Sequence, residues 1–375
     1  MRVGLSAYLA HQGSDYRSAG VSIYTEQLLR RLPAAAPQNR YVAFVGPDAP
    51  PFDDVERVQT RFPTYRPEIR IGWEQTGLLV EAARHRVDLL HGTVNVLPAF
   101  RRKPSVVTIH DLSFLTTPRT LPRAKAQYLR YAVRLSARVA QRIIAVSRST
   151  KSDLVDSFGV RPEKIDVIYP GVDERFHPRC DEEKTTFRTA LTEGRPYILH
   201  VGTLQPRKNV DILIRAFARL KAQAGIPHLL LLAGARGWMY DNLFRMVADL
   251  GLQADVRFAD YVAPADLPLW YNCADVFAYP SAFEGFGLPV LEAMACGLPV
   301  VTSASSSLLE VAGDAAITVE PGSDEALAQG VGRILNDERL RQRLRSAGLQ
   351  RASDWTWDVT ARATAEVYRR TVQGP

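Results

Sequence analysis

Short, almost wholly apolar runs recur along the first half of the chain: Val3–Tyr8, Tyr41–Val45, Leu89–His91, Val106–Ile109, Ile143–Val146 and Ile165–Ile168. Runs this short and this unbroken read as strands buried on both faces. Between them lie longer stretches with helical spacing, Ile23–Leu32 and Arg123–Arg142. Alternation of this kind predicts βα units around a parallel sheet. Tyr169-Pro170-Gly171-Val172-Asp173 and the polar run to Gly194 then read as a linker.

A second series starts at Tyr197–Val201. It continues through a helix over Val210–Ala224, a strand Leu229–Ala233, a helix near Tyr240–Leu250 and a strand Val256–Phe258. Asp275–Tyr279, Pro299–Thr302 and Ala316–Val319 read as further strands, and Thr360–Val372 as a last helix. The expectation is therefore α/β: a doubly wound domain over residues 1–172, a linker over 173–194 and a second doubly wound domain over 195–357. Residues 358–375 are expected to form a helix that packs back on the first domain.

Composition supports this picture and narrows it. At 375 residues with 46% hydrophobic and 23% charged positions, the chain fits two globular domains with real cores. No stretch approaches the ~18 consecutive apolar residues of a membrane span, and the opening run is too brief for a signal peptide. Cys180, Cys273 and Cys296 are odd in number and far apart, with no zinc spacing, so they read as reduced thiols in a cytoplasmic protein. The net charge of +7 suits nucleic acid, an anionic membrane surface or phosphorylated small molecules, without choosing among them.

The most informative stretch is Phe283-Glu284-Gly285-Phe286-Gly287-Leu288-Pro289-Val290-Leu291-Glu292-Ala293-Met294-Ala295-Cys296-Gly297-Leu298-Pro299. Pro289 suits a first helical position, and Gly297 with Pro299 suits a helix end. A helix of about two turns beginning at a glycine loop is a ready anion site. Glu284 and Glu292 approach its mouth, and two carboxylates there would serve hydroxyl-rich groups rather than phosphate. The alternative is a solvated loop acid and a stabilising first-turn acid.

Arg207 and Lys208 follow a strand and could stabilise a diphosphate leaving group, or form a solvated surface pair. His110-Asp111 ends another strand, as a site pair or a structural one. Between Asp111 and Asp153 there is no acidic residue, while Arg130, Arg134, Arg138 and Arg142 recur every four positions with Tyr131, Val133, Leu135 and Val139 among them. Such a helix is a candidate for an anionic bilayer surface, or simply a solvated domain face. No nucleic-acid motif accompanies the charge.

The Glu284–Val301 stretch resembles the E-x7-E signature of the retaining glycosyltransferase family 4, which has the GT-B fold: two Rossmann-like domains facing a central cleft. The resemblance covers nearly the whole chain and is strongest in the second half. It implies that Glu284 contacts hydroxyls of the donor sugar, that Phe286, Gly287 and Leu288 line the sugar and phosphate pocket through backbone N–H groups, and that Glu292 binds the nucleotide ribose. Val201-Gly202-Thr203-Leu204-Gln205-Pro206-Arg207-Lys208-Asn209 is similar to the family's phosphate loop, where an Arg and a Lys five apart hold the diphosphate. Lys208 matches the lysine; Thr203 stands where the arginine would be, and Arg207 would supply its charge.

His110 would touch the donor sugar with Asp111 orienting it, so that His110, Glu284 and Lys208 form the catalytic set. Tyr261 and Val262 resemble the edge of the base pocket, and Gly20 the N-terminal glycine loop. Tyr16 and Arg17 would contact the acceptor. The G-T-x-x-P-R-K-N form resembles GDP-mannose-dependent mannosyltransferases of polysaccharide synthesis.

The implied reaction moves a hexose, mannose first, from a nucleotide-diphosphate sugar to a glycan or lipid-linked acceptor. GDP-mannose is the favoured donor and a UDP-sugar the second. A lipid-linked acceptor would give the basic helix a use, as a peripheral contact with an anionic membrane surface. No D-x-D triplet occurs, so the reaction is expected to be metal-independent, with no cofactor. The rivals are another GT-B activity, sugar-nucleotide epimerisation or sugar phosphorolysis, and a non-catalytic basic surface-binding protein.

Overall fold

The structure is a computed structural model that describes all residues except 11–19, 65, 101–102, 117–122, 236, 238–239 and 375. Tyr16 and Arg17 lie outside the described residues. The chain divides into two compact units, Met1–Gly171 with Thr356–Pro375, and Val172–Trp355.

The first unit holds β1 (Arg2–Ala7), β2 (Arg40–Val45), β3 (Val55–Gln59), β4 (Leu89–Gly92), β5 (Ser105–Ile109), β6 (Arg142–Ala145) and β7 (Ile165–Val167). They form one sheet in the order β3-β2-β1-β4-β5-β6-β7, every pair parallel. Leu5 of β1 faces Ala43 on one side and His91 on the other. The strands read as apolar blocks because helices bury both faces. β3 escapes that pattern: Val-Glu-Arg-Val-Gln is half polar because it lies at the sheet edge.

The second unit holds β8 (Tyr197–Val201), β9 (Leu229–Ala233), β10 (Val256–Phe258), β11 (Val276–Tyr279), β12 (Val300–Ser303) and β13 (Ile317–Val319). Their order is β10-β9-β8-β11-β12-β13, again all parallel. In each sheet the order reverses beside the first strand, between β1 and β4 and between β8 and β11. Loops at the carboxyl ends of such a pair diverge and leave a crevice for ligands.

Residues 173–194, expected as a linker, carry a helix over Asp181–Thr192. Its first turn is acidic, as a helix N-terminus favours, and Phe187 meets the Trp270 ring edge-on at 6.3 Å. One aromatic in a polar run is too weak a periodic signal to read.

The helix Arg123–Val139 is shorter than its sequence pattern. Arg142 starts β6 instead and pairs with Asp166 at 2.7 Å, so the arginine stripe ends at Arg138. Val133 is wholly buried and Leu135 and Val139 are partly so, which leaves Tyr131 as the exposed apolar member.

The last helix, Trp357–Gln373, belongs to the first unit and packs along the helix Gly20–Ala35. Buried Trp357 lies 5.9 Å from Tyr24, and the Tyr368 hydroxyl meets His91 Nδ1 at 2.6 Å. Burial, and then the nearby His110, push the His91 imidazole down to about 3, so it is a neutral part of a polar network. Its other nitrogen reaches Thr108, which also meets Tyr24.

Candidate active site

The second unit's switch point is built from two loops. After β8 the chain runs through Gly202 into a 3-10 turn, Pro206–Lys208, and reverses at Asn209 (φ 51°). After β11 it runs through Pro280-Ser281-Ala282-Phe283 to Glu284. The loops are stitched together: Ala282 N–H donates to the Arg207 carbonyl at 2.9 Å, and the Asn209 side chain to that of Pro280 at 3.0 Å. Gly234, at the end of β9, completes the crowding. A Cβ there would lie 2.1 Å from the Gly202 carbonyl oxygen.

This stitching brings Arg207, Lys208 and Glu284 into direct contact. Lys208 Nζ lies 2.6 Å from Glu284 Oε1 and Arg207 Nη1 2.8 Å from Oε2. Ser281 donates to Oε1 at 2.6 Å and Tyr279 at 3.0 Å. The three charged side chains are only 9–15% exposed. Burial alone would raise the Glu284 carboxyl, but Arg207 and Lys208 outweigh it and hold the group well below the usual carboxylate range. The cations are thus closed on a carboxylate, a partner that neither sequence reading of the pair, a diphosphate site or a solvated surface pair, supplied. The glutamate backbone is fixed as well. Its N–H donates to Ser306 Oγ at 2.9 Å, and Ser307 Oγ donates to its carbonyl at 2.8 Å. Ser306 has φ 43°, a left-handed conformation that costs energy for any residue but glycine.

Beyond Glu284, Phe286 buries its ring against Trp355 (5.4 Å). Gly287 precedes the helix Leu288–Ala295 at φ 118°, and a Cβ there would strike Leu308 at 2.8 Å. Glu292 lies on that helix, half-buried, and accepts from the Tyr271 hydroxyl at 2.9 Å. Burial, only partly offset by Tyr271 and Arg175, pushes its carboxyl up to about 7. Glu284 and Glu292 therefore sit in opposite electrostatic settings. Tyr279 feels both; burial, then the Glu284 charge, hold its phenol far above the usual range. Tyr261 and Val262 follow β10, both half-buried.

In the first unit His110 follows β5. Its Nε2 lies 2.8 Å from the Thr93 carbonyl, which can only accept, so Nε2 carries the proton and Nδ1 is a bare acceptor. Its ring meets Tyr24 edge-on at 4.8 Å, and burial keeps it below the usual histidine range. Asp111 does not orient it by a hydrogen bond. Its carboxylate instead accepts from the Ser113 backbone (2.9 Å) and hydroxyl (2.7 Å). Gly20 starts the helix Gly20–Ala35 and is exposed.

Residues 181–351 match the family described as "Glycosyl transferases group 1", and residues 18–176 the family described as "Glycosyltransferase Family 4". The chain is 31% identical to a D-inositol 3-phosphate glycosyltransferase of Kineococcus radiotolerans, over 79% of its own length and 75% of the relative's. The chain is a family 4 glycosyltransferase. Across 94% of its length and 97% of the relative's, the glycosyltransferase is also 29% identical to the O-antigen chain mannosyltransferase B of Escherichia coli. Its fold is GT-B: sucrose-phosphate synthase from Thermosynechococcus elongatus superposes with a TM-score of 0.82 at 22% identity, covering 99% of this chain and 98% of that one.

Several residues that shape this enzyme's site carried no signal of their own in the sequence. Tyr279 ends β11 and Ser281 follows it in the loop beside Lys208, and a topology fixed in advance would have pointed to them. The run Ser305-Ser306-Ser307 after β12 is the visible trace of the Glu284 backbone support. His200 is wholly buried in β8, stacked on Tyr279 at 5.5 Å, and reads from sequence as one more strand residue. Arg175, whose charge reaches Glu292, lay in the supposed linker.

Proposed function

We propose that this glycosyltransferase moves a hexose, mannose first, from a nucleotide-diphosphate sugar to a glycan or lipid-linked acceptor. The anomeric configuration is retained, and the chain's own cations meet the leaving-group charge. The observation that carries the reading is the buried triad of Arg207, Lys208 and Glu284 at the switch point.

A diphosphate needs fixed positive charge where its own charge grows, in a site from which water is excluded. Arg207 and Lys208 supply it, and Arg207 takes the part of the arginine replaced by Thr203. The diphosphate competes with Glu284 for these cations, and each carboxylate oxygen it releases becomes an acceptor for a sugar hydroxyl. Phe286, Gly287 and Leu288 present backbone at the start of the helix Leu288–Ala295, where N–H groups favour anions. Glu292 takes the ribose hydroxyls, Tyr261 and Val262 the edge of the base, and Gly20 allows close backbone approach. His110 offers its bare Nδ1 to a sugar hydroxyl. In the transfer the acceptor oxygen bonds the anomeric carbon on the face the phosphate leaves, and the acceptor's proton passes to a phosphate oxygen.

Mannose, with GDP-mannose ahead of UDP-sugars as donor, is favoured by the whole-length similarity to a protein named as a mannosyltransferase. No helix among the described residues is long and apolar enough to cross a membrane. The exposed stripe of Arg130, Arg134 and Arg138 beside Tyr131 favours peripheral contact with an anionic bilayer, where a lipid-linked acceptor would lie. The test is a thermal-shift panel of GDP-, UDP-, dTDP- and ADP-sugars, followed by NMR of the product anomer from the donor that stabilises most. Stabilisation by GDP-mannose and an α product from the α donor are expected; no stabilisation by any member, or an inverted product, overturns the reading.

A further inference from the structure

The first unit holds a second crevice, at the carboxyl ends of β1, β2 and β3, with a volume of about 240 Å³. One wall is aromatic. The rings of Phe62 and Trp73 lie 5.2 Å apart, tilted by 37°, and Phe62 is 54% exposed although it is a large apolar side chain. The floor is Tyr8, just past β1. Trp73 Nε1 donates to its hydroxyl at 2.7 Å, and among the described residues that hydroxyl has no acceptor for its own proton. Burial holds the phenol far above its ordinary range, so it stays a donor. Thr60, Glu81, Gln59 and the exposed Arg61 supply the polar lining, Phe44 and Val58 the rest, and Glu81 is held by Arg84 at 2.8 Å and by His85.

We infer that this crevice is a subsite for one neutral pyranose ring of the acceptor. A sugar ring has an apolar C–H face, which exposed Phe62 with the half-buried Trp73 beside it can cover. It also has a hydroxyl rim, which needs acceptors and donors together. Glu81 and Thr60 provide the acceptors and the Tyr8 proton the donor. Ligand sites have this composition, mostly apolar walls with a few placed polar groups, and aromatic side chains with a polar tip suit a ligand of two characters. The volume admits a single ring. A nucleotide is disfavoured because the crevice holds a carboxylate, and its cation Arg61 is exposed, unlike the buried pair of Arg207 and Lys208.

The inference rests on the acceptor being a glycan, and the test separates the two. Saturation-transfer NMR on the full chain would use methyl α-D-mannopyranoside and α-1,3-mannobiose as probes, with donor binding followed in parallel by thermal shift. Binding of either sugar by the wild type, weakened about 10-fold or more in W73A and several-fold in F62A, is expected. In enzyme assays the same changes should raise the acceptor KM and leave the donor KM alone. Phe62 is exposed, so F62A still folds if W73A does not, and Y8F removes only the hydroxyl. Absence of binding, or equal binding by wild type, F62A and Y8F, overturns the subsite. Loss of donor stabilisation with saccharide binding intact would defeat the donor assignment and leave the subsite standing.

Discussion

The two units solve the same topological problem with opposite chemistry. Both wind a parallel sheet outward from its first strand and put loops at a switch point. In the second unit those loops close on charge: a buried carboxylate and two cations within 2.8 Å. In the first, the residue after β5 is a neutral histidine held by a backbone carbonyl. Charge stored in a buried crevice is useful only where charge will develop, which is why the proposed reaction puts the leaving group in the second unit. Neutral, directional groups suit a ligand that carries none.

The comparison breaks most visibly at Glu284. E284A leaves two buried cations uncompensated, and removing one partner of a buried pair typically costs about 3–5 kcal/mol, so a stability loss of that order, read as a lowered melting point, is expected. Turnover should fall about 1,000-fold, and a nucleoside diphosphate should restore much of the lost melting temperature. The pH dependence has a defined sign. The folded value of Glu284 lies below its unfolded value of 4.5, so its stabilisation is full above that pH and fades as pH falls toward the depressed value. Acid-unfolding curves of wild type and E284A should therefore converge at low pH.

Next in size is K208A, expected to lower kcat about 100-fold. R207A should lower it less, since Arg207 also donates to the Phe283 carbonyl. In the first unit, by contrast, H110F should lower kcat without shifting the pH profile, because the imidazole is already neutral.

A smaller effect of opposite sign belongs to Glu292. Its folded value, about 7, lies above the unfolded 4.5, so stability falls as pH rises through that window and stays lowered above it. E292Q should therefore raise the stability at pH 8, by linkage up to about 3 kcal/mol, and the melting point with it. The same change should weaken donor binding, as expected of a strained ligand-binding group.

The smallest effect is expected at Asp111. D111A should cost about 1 kcal/mol through the lost turn at Ser113 and leave the pH profile unchanged.

Much of the fold was legible because buried parallel strands write themselves as apolar blocks: β9 and β10 and the helix Val210–Ala224 coincide with their sequence patterns. The edge strand β3 and the helix Asp181–Thr192 were not, since each buries too little to leave a period. In the site, the short helix that begins after the glycine loop and carries Glu292 was readable from residue types. That Arg207 and Lys208 turn inward on Glu284 was not, because adjacent cations look alike whether solvated or paired. Only the register of β8 against β11 brings positions 208 and 284 together.

The most direct measurement is the calorimetric affinity of the donor's nucleoside diphosphate for wild type, E284Q and K208A. If Glu284 competes with the diphosphate for its two cations, E284Q binds it several-fold more tightly while losing sugar transfer, and K208A binds it at least 10-fold more weakly. Weakening of the same size in both variants would contradict the exchange and the account built on it.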